Sequence, residues 1–470
     1  MDRDKRYIKE SYSIDKGKTL YTKLGNFILY GILPIFTGSF VIGVFTGVIV
    51  AFFMILIETI GENSKFLYTK LITHPIYFVL FMAILIILAF LMHILLKKIP
   101  EGEGGGVPRS MQMVEGKRKG NPLKIIFAYF FGSSISVLGR LNVGTEGPSV
   151  QLGAAVGSLT SDTLRWKDRT YYINSGVSAG FAAAFSAPMT GLIFAIEEIR
   201  QKINPIAIAA AGFAILGAMV PSQLIYDVFS LRVHFFPIES SIYIDSTYFY
   251  LFIFLGLLSG ILSTLFQKIM IQVRRYMGRS RSSALWVLIA VFLLSGFTGV
   301  VFTTNEGMSL GAGSGISVIK YLFMNPNKTI DIITTSLLIV ARFSLIILIF
   351  RSGATGGMMI PTLSLGALVG AFFGEFVVSA GMPEELYYMI ILSGMISFFT
   401  SSITAPLTGI MLAIECVDLN YIPYIILATG FSFIVVKIFK CNDLYETLSE
   451  KDIIDPPEFK FLKKINKRQK

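Results

Sequence analysis

Long apolar stretches limit this chain to one kind of fold. Phe27 to Ile60, Tyr77 to Leu96, Tyr248 to Phe266, Trp286 to Phe302 and Ile330 to Phe350 each reach or approach the roughly 20 residues that a helix needs to cross hydrocarbon. Only 15% of the 470 residues are charged and 53% are hydrophobic, whereas soluble domains carry about a quarter charged residues. A transmembrane barrel would show short alternating segments, and a disordered chain would need low hydrophobicity. The expected fold class is therefore an all-α polytopic membrane protein.

A net charge of +11 would suggest nucleic acid as the partner of a soluble chain. Here the excess lies in the tails and in loops beside spans, so it reads as topology, with no nucleic acid partner expected. Arg3, Lys5, Arg6, Lys9, Lys16, Lys18 and Lys23 open the chain, and Lys460, Lys463, Lys464, Lys467, Arg468 and Lys470 close it. The positive-inside rule places both termini in the cytoplasm, as expected for a multi-pass protein of the cell membrane. The first apolar span is far too long for a signal peptide, so no cleavage is expected. Cys416 and Cys441 form no disulfide framework, and His74, His93 and His234 lack ligand spacing, so no metal or other cofactor is expected.

Glycine-rich and proline-bearing segments interrupt the spans at Gly102 to Pro108, Gly144 to Pro148, Gly311 to Gly315 and Gly353 to Pro361. In a bilayer such backbone is tolerated only where protein buries it or where it lines a wet cavity, which points to tilted and broken helices around a permeation site. The interruptions also repeat. Pro148-Ser-Val-Gln-Leu-Gly-Ala-Ala-Val-Gly157 resembles Pro361-Thr-Leu-Ser-Leu-Gly-Ala-Leu-Val-Gly370. Ser186-Ala-Pro-Met-Thr-Gly-Leu-Ile-Phe-Ala-Ile-Glu-Glu198 matches Thr404-Ala-Pro-Leu-Thr-Gly-Ile-Met-Leu-Ala-Ile-Glu-Cys416, and Gly104-Gly105-Gly106-Val107 corresponds to Gly313-Ser314-Gly315-Ile316. Three landmarks recurring in one order describe a duplicated half. Paired interrupted helices are the sequence mark of a transporter with its site near the midplane. The expected division is a cytoplasmic segment over 1–23, a membrane domain over 24–450 with repeats of about 24–222 and 245–450, and a basic tail over 451–470. Both tails are too short for a separate regulatory domain.

Glycine turns that open helices present unpaired N–H groups at the positive end of a macrodipole, which makes an anion site without cationic side chains. Small residues packing helices together would give the same composition at any one break. Glu146 stands where an apolar helix begins, and an ionisable residue at membrane depth is a functional candidate; a first-turn helix cap is the plainer alternative. Glu198 follows Glu197, with Arg200 nearby, and a solvated ion cluster is its plainer alternative. Glu197 matches Glu415 in the second half, whereas Glu198 faces Cys416, an asymmetry suited to a directional proton path. Arg140, Arg342, Arg351 and Glu375 are expected to pair with backbone or with each other.

In this order the residues resemble the CLC family of chloride channels and chloride/proton antiporters, over essentially the whole membrane portion. The likeness is to the prokaryotic type, which lacks a C-terminal CBS regulatory domain. Gly104-Gly105-Gly106-Val107-Pro108 resembles the family's GSGIP segment, and Gly144-Thr145-Glu146-Gly147-Pro148 its GREGP or GKEGP segment. Gly357-Met358-Met359-Ile360-Pro361 resembles GxFxP, and Tyr445 in Asp443-Leu-Tyr-Glu446 the family's C-terminal tyrosine. The resemblance implies a CLC-like inverted repeat and a homodimer with one pathway per subunit. It also implies chloride bound at Gly105, Gly106, Val107, Gly147, Met358, Met359 and Tyr445, within a filter framed by the other residues of the three segments. Glu146 becomes the external gating and proton-transfer glutamate, competing with chloride when ionised and swinging out when protonated. Glu198 becomes the internal proton-transfer glutamate, which family channels usually lack, and this favours an antiporter.

Four positions depart from the pattern. Gly105 replaces a serine, removing a hydroxyl donor that bears on chloride against nitrate. Met358 and Met359 replace an isoleucine and a phenylalanine whose backbone N–H groups do the binding. Thr145 replaces a cation that would attract anions. The second-half string Gly313-Ser314-Gly315-Ile316 lacks the proline, and Ser314 is read as packing scaffold. The leading expectation is proton/chloride antiport. The alternatives are a voltage- or pH-gated anion channel of the same fold and a nitrate- or fluoride-preferring antiporter, although the fluoride branch typically lacks a Glu198 counterpart. A cation carrier would use carboxylates to hold its ion and is separated by chloride binding. A membrane hydrolase would need a nucleophile with its base or metal ligands such as HExxH, and no such set is visible, so no enzyme is expected.

Overall fold

The computed structural model of the chain describes residues 32–73, 75–163, 169–200, 204–231, 246–276, 283–304, 307–324 and 330–454. The expected orientation of the two termini and the histidines His74 and His234 fall outside the described residues. Nine helices among the described residues are long and apolar enough to cross a bilayer, and no β-strand forms beyond two isolated bridges. Helix is the form in which an open segment can satisfy every backbone polar group without water.

The first half contains α1 (Leu33–Thr73), α2 (Pro75–Lys98), α3 (Val107–Val114), α4 (Pro122–Leu138), α5 (Glu146–Thr163), α6 (Arg169–Phe185), α7 (Pro188–Phe194) and α8 (Pro205–Val228). The second contains α9 (Phe249–Tyr276), α10 (Ser283–Val301), α11 (Ile316–Met324), α12 (Ile332–Ser352), α13 (Met359–Ser379), α14 (Glu385–Ile403), α15 (Pro406–Cys416), α16 (Ile422–Ile438) and α17 (Leu444–Ile454). The helix ends follow local chemistry. Asn121, Asn204 and Asp331 side chains accept from first-turn amides of α4, α8 and α12, and Gly353, at φ 79°, ends α12. Each of the four glycine-rich interruptions leads up to or into the first turn of a new helix, at Val107, Glu146, Ile316 and Met359.

The halves pack alike. Helix α1 lies against α8 and α6, as α9 lies against α16 and α14; α5 pairs with α6, as α13 pairs with α14. The contacts rest on small residues. Gly43 and Gly47 of α1 meet the backbone at Ala214 and Ala218 of α8, and Gly256 and Gly260 of α9 meet α16 in the same way. Helix α14 is buried along almost its whole length, so it forms the centre of the bundle. Several of its hydroxyls bond inside the bundle: Ser401 and Ser432 bond at 2.6 Å, and Thr400 donates to the Ser397 carbonyl at 3.0 Å. The apolar residues left exposed, such as Val79, Ile87, Leu216 and Val340, lie on spans where lipid is the solvent.

Where α7 meets α15 the duplication closes on itself. Glu197, just past the C-terminus of α7, accepts from Leu407 and Thr408 N–H at 3.1 and 2.7 Å and from Thr408 Oγ1 at 2.7 Å, at the start of α15. Glu415, near the end of α15, accepts from Met189 and Thr190 N–H at 2.7 and 2.8 Å and from Thr190 Oγ1 at 2.5 Å, at the start of α7. Each carboxylate neutralises the orphan amides and the positive dipole end of the other half's helix. Tail-to-head contact in both directions requires antiparallel equivalents, the relation that an inverted repeat produces.

Candidate functional site

Three of the four interruptions are stitched together across the halves by backbone. Gly144 and Gly357 exchange a pair of N–H to carbonyl bonds, both 2.8 Å, while Gly104 N–H donates to the Gly353 carbonyl at 3.1 Å and Gly356 N–H to the Gly104 carbonyl at 3.4 Å. Thr355 Oγ1 donates to the Gly102 carbonyl at 2.6 Å, and the Thr355 carbonyl accepts from Ser136 Oγ at 2.6 Å. Polar groups that irregular backbone would leave unpaired at membrane depth thus find partners in the opposite half. The approach is close enough to demand glycine at two points. Gly106 holds φ 84° as the residue before α3, and a Cβ on Gly147 would overlap the Gly105 carbonyl oxygen. The N-termini of α3, α5 and α13 therefore meet at one locus.

Glu146 is the first residue of α5 and is 2% exposed. Its carboxylate crosses to the other half, where Met359 N–H donates to Oε1 and the Ile360 amide faces the same group. It fills the space that Gly144 and Gly357 leave open, since a Cβ on either would run into it. Oε2 has no hydrogen-bond partner. A negative group thus rests at the positive end of α13 while starting α5, in the kind of seat that a small anion would take. This is more than a first-turn cap, because the carboxylate also binds an amide of a different helix.

Tyr445, in the first turn of α17, is 3% exposed and within electrostatic reach of Glu146, Glu198 and Asp443. Helix α17 is held to α3 by Gln112 Nε2, which donates to the Ser449 carbonyl at 2.7 Å. Glu198 lies in a π-helical turn, Ala195–Arg200, that continues α7. That turn separates two adjacent acids. Glu197 goes out to cap α15, whereas Glu198 is completely buried, its neighbour being the Asp443 carboxyl. The solvated ion cluster that the sequence allowed for Glu198 is not what forms.

Gly105, Val107, Pro108, Pro148, Met358, Ile360 and Pro361 all lie at or beside the converging helix starts, and all but Gly105 are buried. The backbone carbonyl of Thr145 accepts from Ser149 N–H at 3.0 Å and from Ser149 Oγ at 2.9 Å. The second-half string is engaged elsewhere: Gly313 N–H donates to the Arg140 carbonyl at 2.7 Å, and fully buried Arg342 donates to the carbonyls of Leu310 and Gly313 and to Ser364 Oγ at 2.9, 3.2 and 3.1 Å. Arg342 is thus paired with backbone, as its position at membrane depth led us to expect. Among the described residues no group of three or more His, Cys, Asp and Glu side chains could hold a metal ion. One residue had no assigned role in the sequence: Asp443. Its signal was present, an acid two positions before Tyr445, but the position also suits an ordinary helix cap.

The family model described as voltage gated chloride channel matches residues 88–437, well over half of the chain and inclusive of the starts of α3, α5 and α13. The chain belongs to the CLC family. Solved structures agree on the CLC fold. A slow cyanobacterial chloride/proton antiporter superposes with a TM-score of 0.80 at 21% identity, over 90% of this chain and 99% of that one. A CLC-type fluoride/proton antiporter gives 0.70 at 21% identity, over 92% and 99%, and a eukaryotic CLC transporter 0.67 at 19%, over 89% and 74%. The tilted, broken helices around Glu146 are therefore those of a CLC membrane ion-transport protein, in a family of transporters and channels.

Proposed function

We propose that this CLC chain exchanges chloride for protons, as a secondary active antiporter of the cell membrane with both termini cytoplasmic. The observation that carries the reading is the Glu146 carboxylate seated on the N-terminus of α13, where a chloride ion would otherwise take the same amides. An ionised Glu146 excludes the anion from that seat. Once protonated, it loses its attraction to the dipole and to the charge-assisted bond, and the anion replaces it. Anion and proton thereby alternate at one place. Glu198 supplies the inward end of the proton route, with Tyr445 between the two glutamates in electrostatic reach of both. We assign Gly105, Gly106, Val107, Gly147, Met358, Met359 and Tyr445 to anion binding, the repeats to about 24–222 and 245–450, and the assembly to a homodimer with one pathway in each subunit. No cofactor and no enzymatic step enter this scheme.

The test is purified protein in liposomes loaded with chloride and diluted into low chloride, with external pH and chloride recorded together. Uphill proton movement that a proton ionophore collapses is the expected result. Chloride flux without protons would make the chain a channel, and a chloride-silent protein that moves nitrate or fluoride would keep the exchange scheme with another anion.

Selectivity gives a second expectation. A Cβ at Gly105 would press on the ring edge of Phe350 at 3.0 Å, a side chain that can yield, and would sit in ordinary contact with the Gly356 carbonyl oxygen at 3.5 Å, so Gly105→Ser should fold. The added hydroxyl is a donor worth about 1.5 kcal/mol to an anion, roughly tenfold in binding. Reversal potentials should move toward chloride over nitrate; an unchanged preference would remove Gly105 from the filter.

A further inference from the structure

Glu198 is completely buried, and neither of its oxygens accepts from any N–H or hydroxyl among the described residues. What faces it is another acid. The Asp443 carboxyl is within hydrogen-bonding reach of Glu198, and two carboxyl groups can form that bond only when one of them carries a proton. Asp443 is half-buried, and its neighbour Asn442 is exposed, so the pair spans from a solvent-facing loop to the interior. At the same time Asp443 Oδ1 accepts from Glu446 N–H at 3.1 Å, at the start of the helix that carries Tyr445.

We propose that Asp443 is the cytoplasmic proton donor and acceptor for Glu198, the two carboxyls sharing one proton as a relay. This rests on the antiporter reading above. In the inward-to-outward direction the O–H bond of a protonated Asp443 breaks as an O–H bond forms on the Glu198 carboxylate. The negative charge moves to Asp443, and a hydronium ion from cytoplasmic water restores its proton.

The surroundings favour such sharing. The titratable groups acting on Glu198 are Asp443, Glu197 from its own turn and Glu446 from α17, with Tyr445 on the inner side. From α3, Arg109 faces Glu103 at 3.7 Å, and from α9, Lys268 lies over the Phe439 ring at 4.9 Å and acts on Cys441. Like charges that crowd a site hold one proton between them. Burial pushes the Asp443 carboxyl up to about 6, so it gains and loses its proton close to cytoplasmic pH.

Asp443→Asn and Asp443→Ser separate this role from capping, because both residues cap helices well and neither titrates. Both variants should bind chloride at equilibrium as the wild type does, yet carry protons about a hundredfold more slowly, the lower end of what a positioned proton-transfer group contributes. The proton-to-chloride ratio should fall, and the step in proton flux near internal pH 6 should vanish. If both variants pump like the wild type while Glu198→Gln does not, the relay is overturned and the antiporter reading survives. A wild type that moves chloride without protons overturns that reading and the relay with it. Should the variants fold poorly, infrared spectra decide: a protonated-carboxyl band that titrates near pH 6 in the wild type and shifts in Glu198→Gln is expected, and a missing band or one that Glu198→Gln leaves unmoved refutes the relay.

Discussion

Glu146→Gln should leave chloride flux running and reduce proton transport to background. The amide keeps the volume of the side chain and cannot be ionised, so it imitates the protonated gate permanently. Met359 N–H loses a charged acceptor, and the hold on the seat at α13 weakens by about half, since bonds to ionised groups are roughly twice as strong as neutral ones. Chloride then meets a weaker competitor at all times. Proton transport should fall by about two orders of magnitude or more, the usual contribution of a positioned acid or base. The pH dependence of chloride flux should flatten as well, because the competing group no longer titrates. Paired chloride and pH electrodes on one liposome suspension read all three quantities. Continued proton pumping in this variant would transfer the gate to another residue.

Glu198→Gln should give a similar uncoupling from the opposite end, with an instructive difference. Here the anion seat is untouched, so equilibrium chloride binding and its competition with Glu146 should match the wild type. Only the supply of protons is cut, and proton flux should drop by about a hundredfold. Folding should not suffer, because the neutral isostere keeps the volume of a buried carboxyl that no amide or hydroxyl holds, and its N–H can donate to the Asp443 carboxyl. Isothermal titration with chloride beside the flux assay distinguishes this outcome from damage to the site. Full coupling in Glu198→Gln would mean that protons reach Glu146 by another path.

The two adjacent acids show how far the sequence could be read. Glu197-Glu198 was visible as a pair at the end of an apolar stretch, and its partial repetition at Glu415 marked Glu198 as the odd one. That Glu197 caps α15 while Glu198 turns inward depends on the π turn at Ala195–Arg200, a local change of helical phase with no composition signal. Asp443 is a stronger case. It entered the sequence reading only as part of the string around Tyr445, and its meeting with Glu198 joins distant parts of the chain, where contacts have no periodicity to reveal them.

The sequence by itself determined the environment, the element type and the duplication. Span length and scarcity of charge leave helices as the only form that satisfies backbone groups in lipid, and glycine and proline at fixed offsets mark where those helices must break. It also singled out Glu146, because a carboxylate at membrane depth is too costly to be incidental. The tertiary structure decided which breaks meet. Gly104 and Gly144 bond to Gly353, Gly356 and Gly357 of the other half, and the Glu146 carboxylate reaches Met359 of the other half. The physical reason is that each break exposes amides and carbonyls with no local partner. Only an antiparallel second half can supply those partners, and it does so by bringing three helix N-termini to a single point.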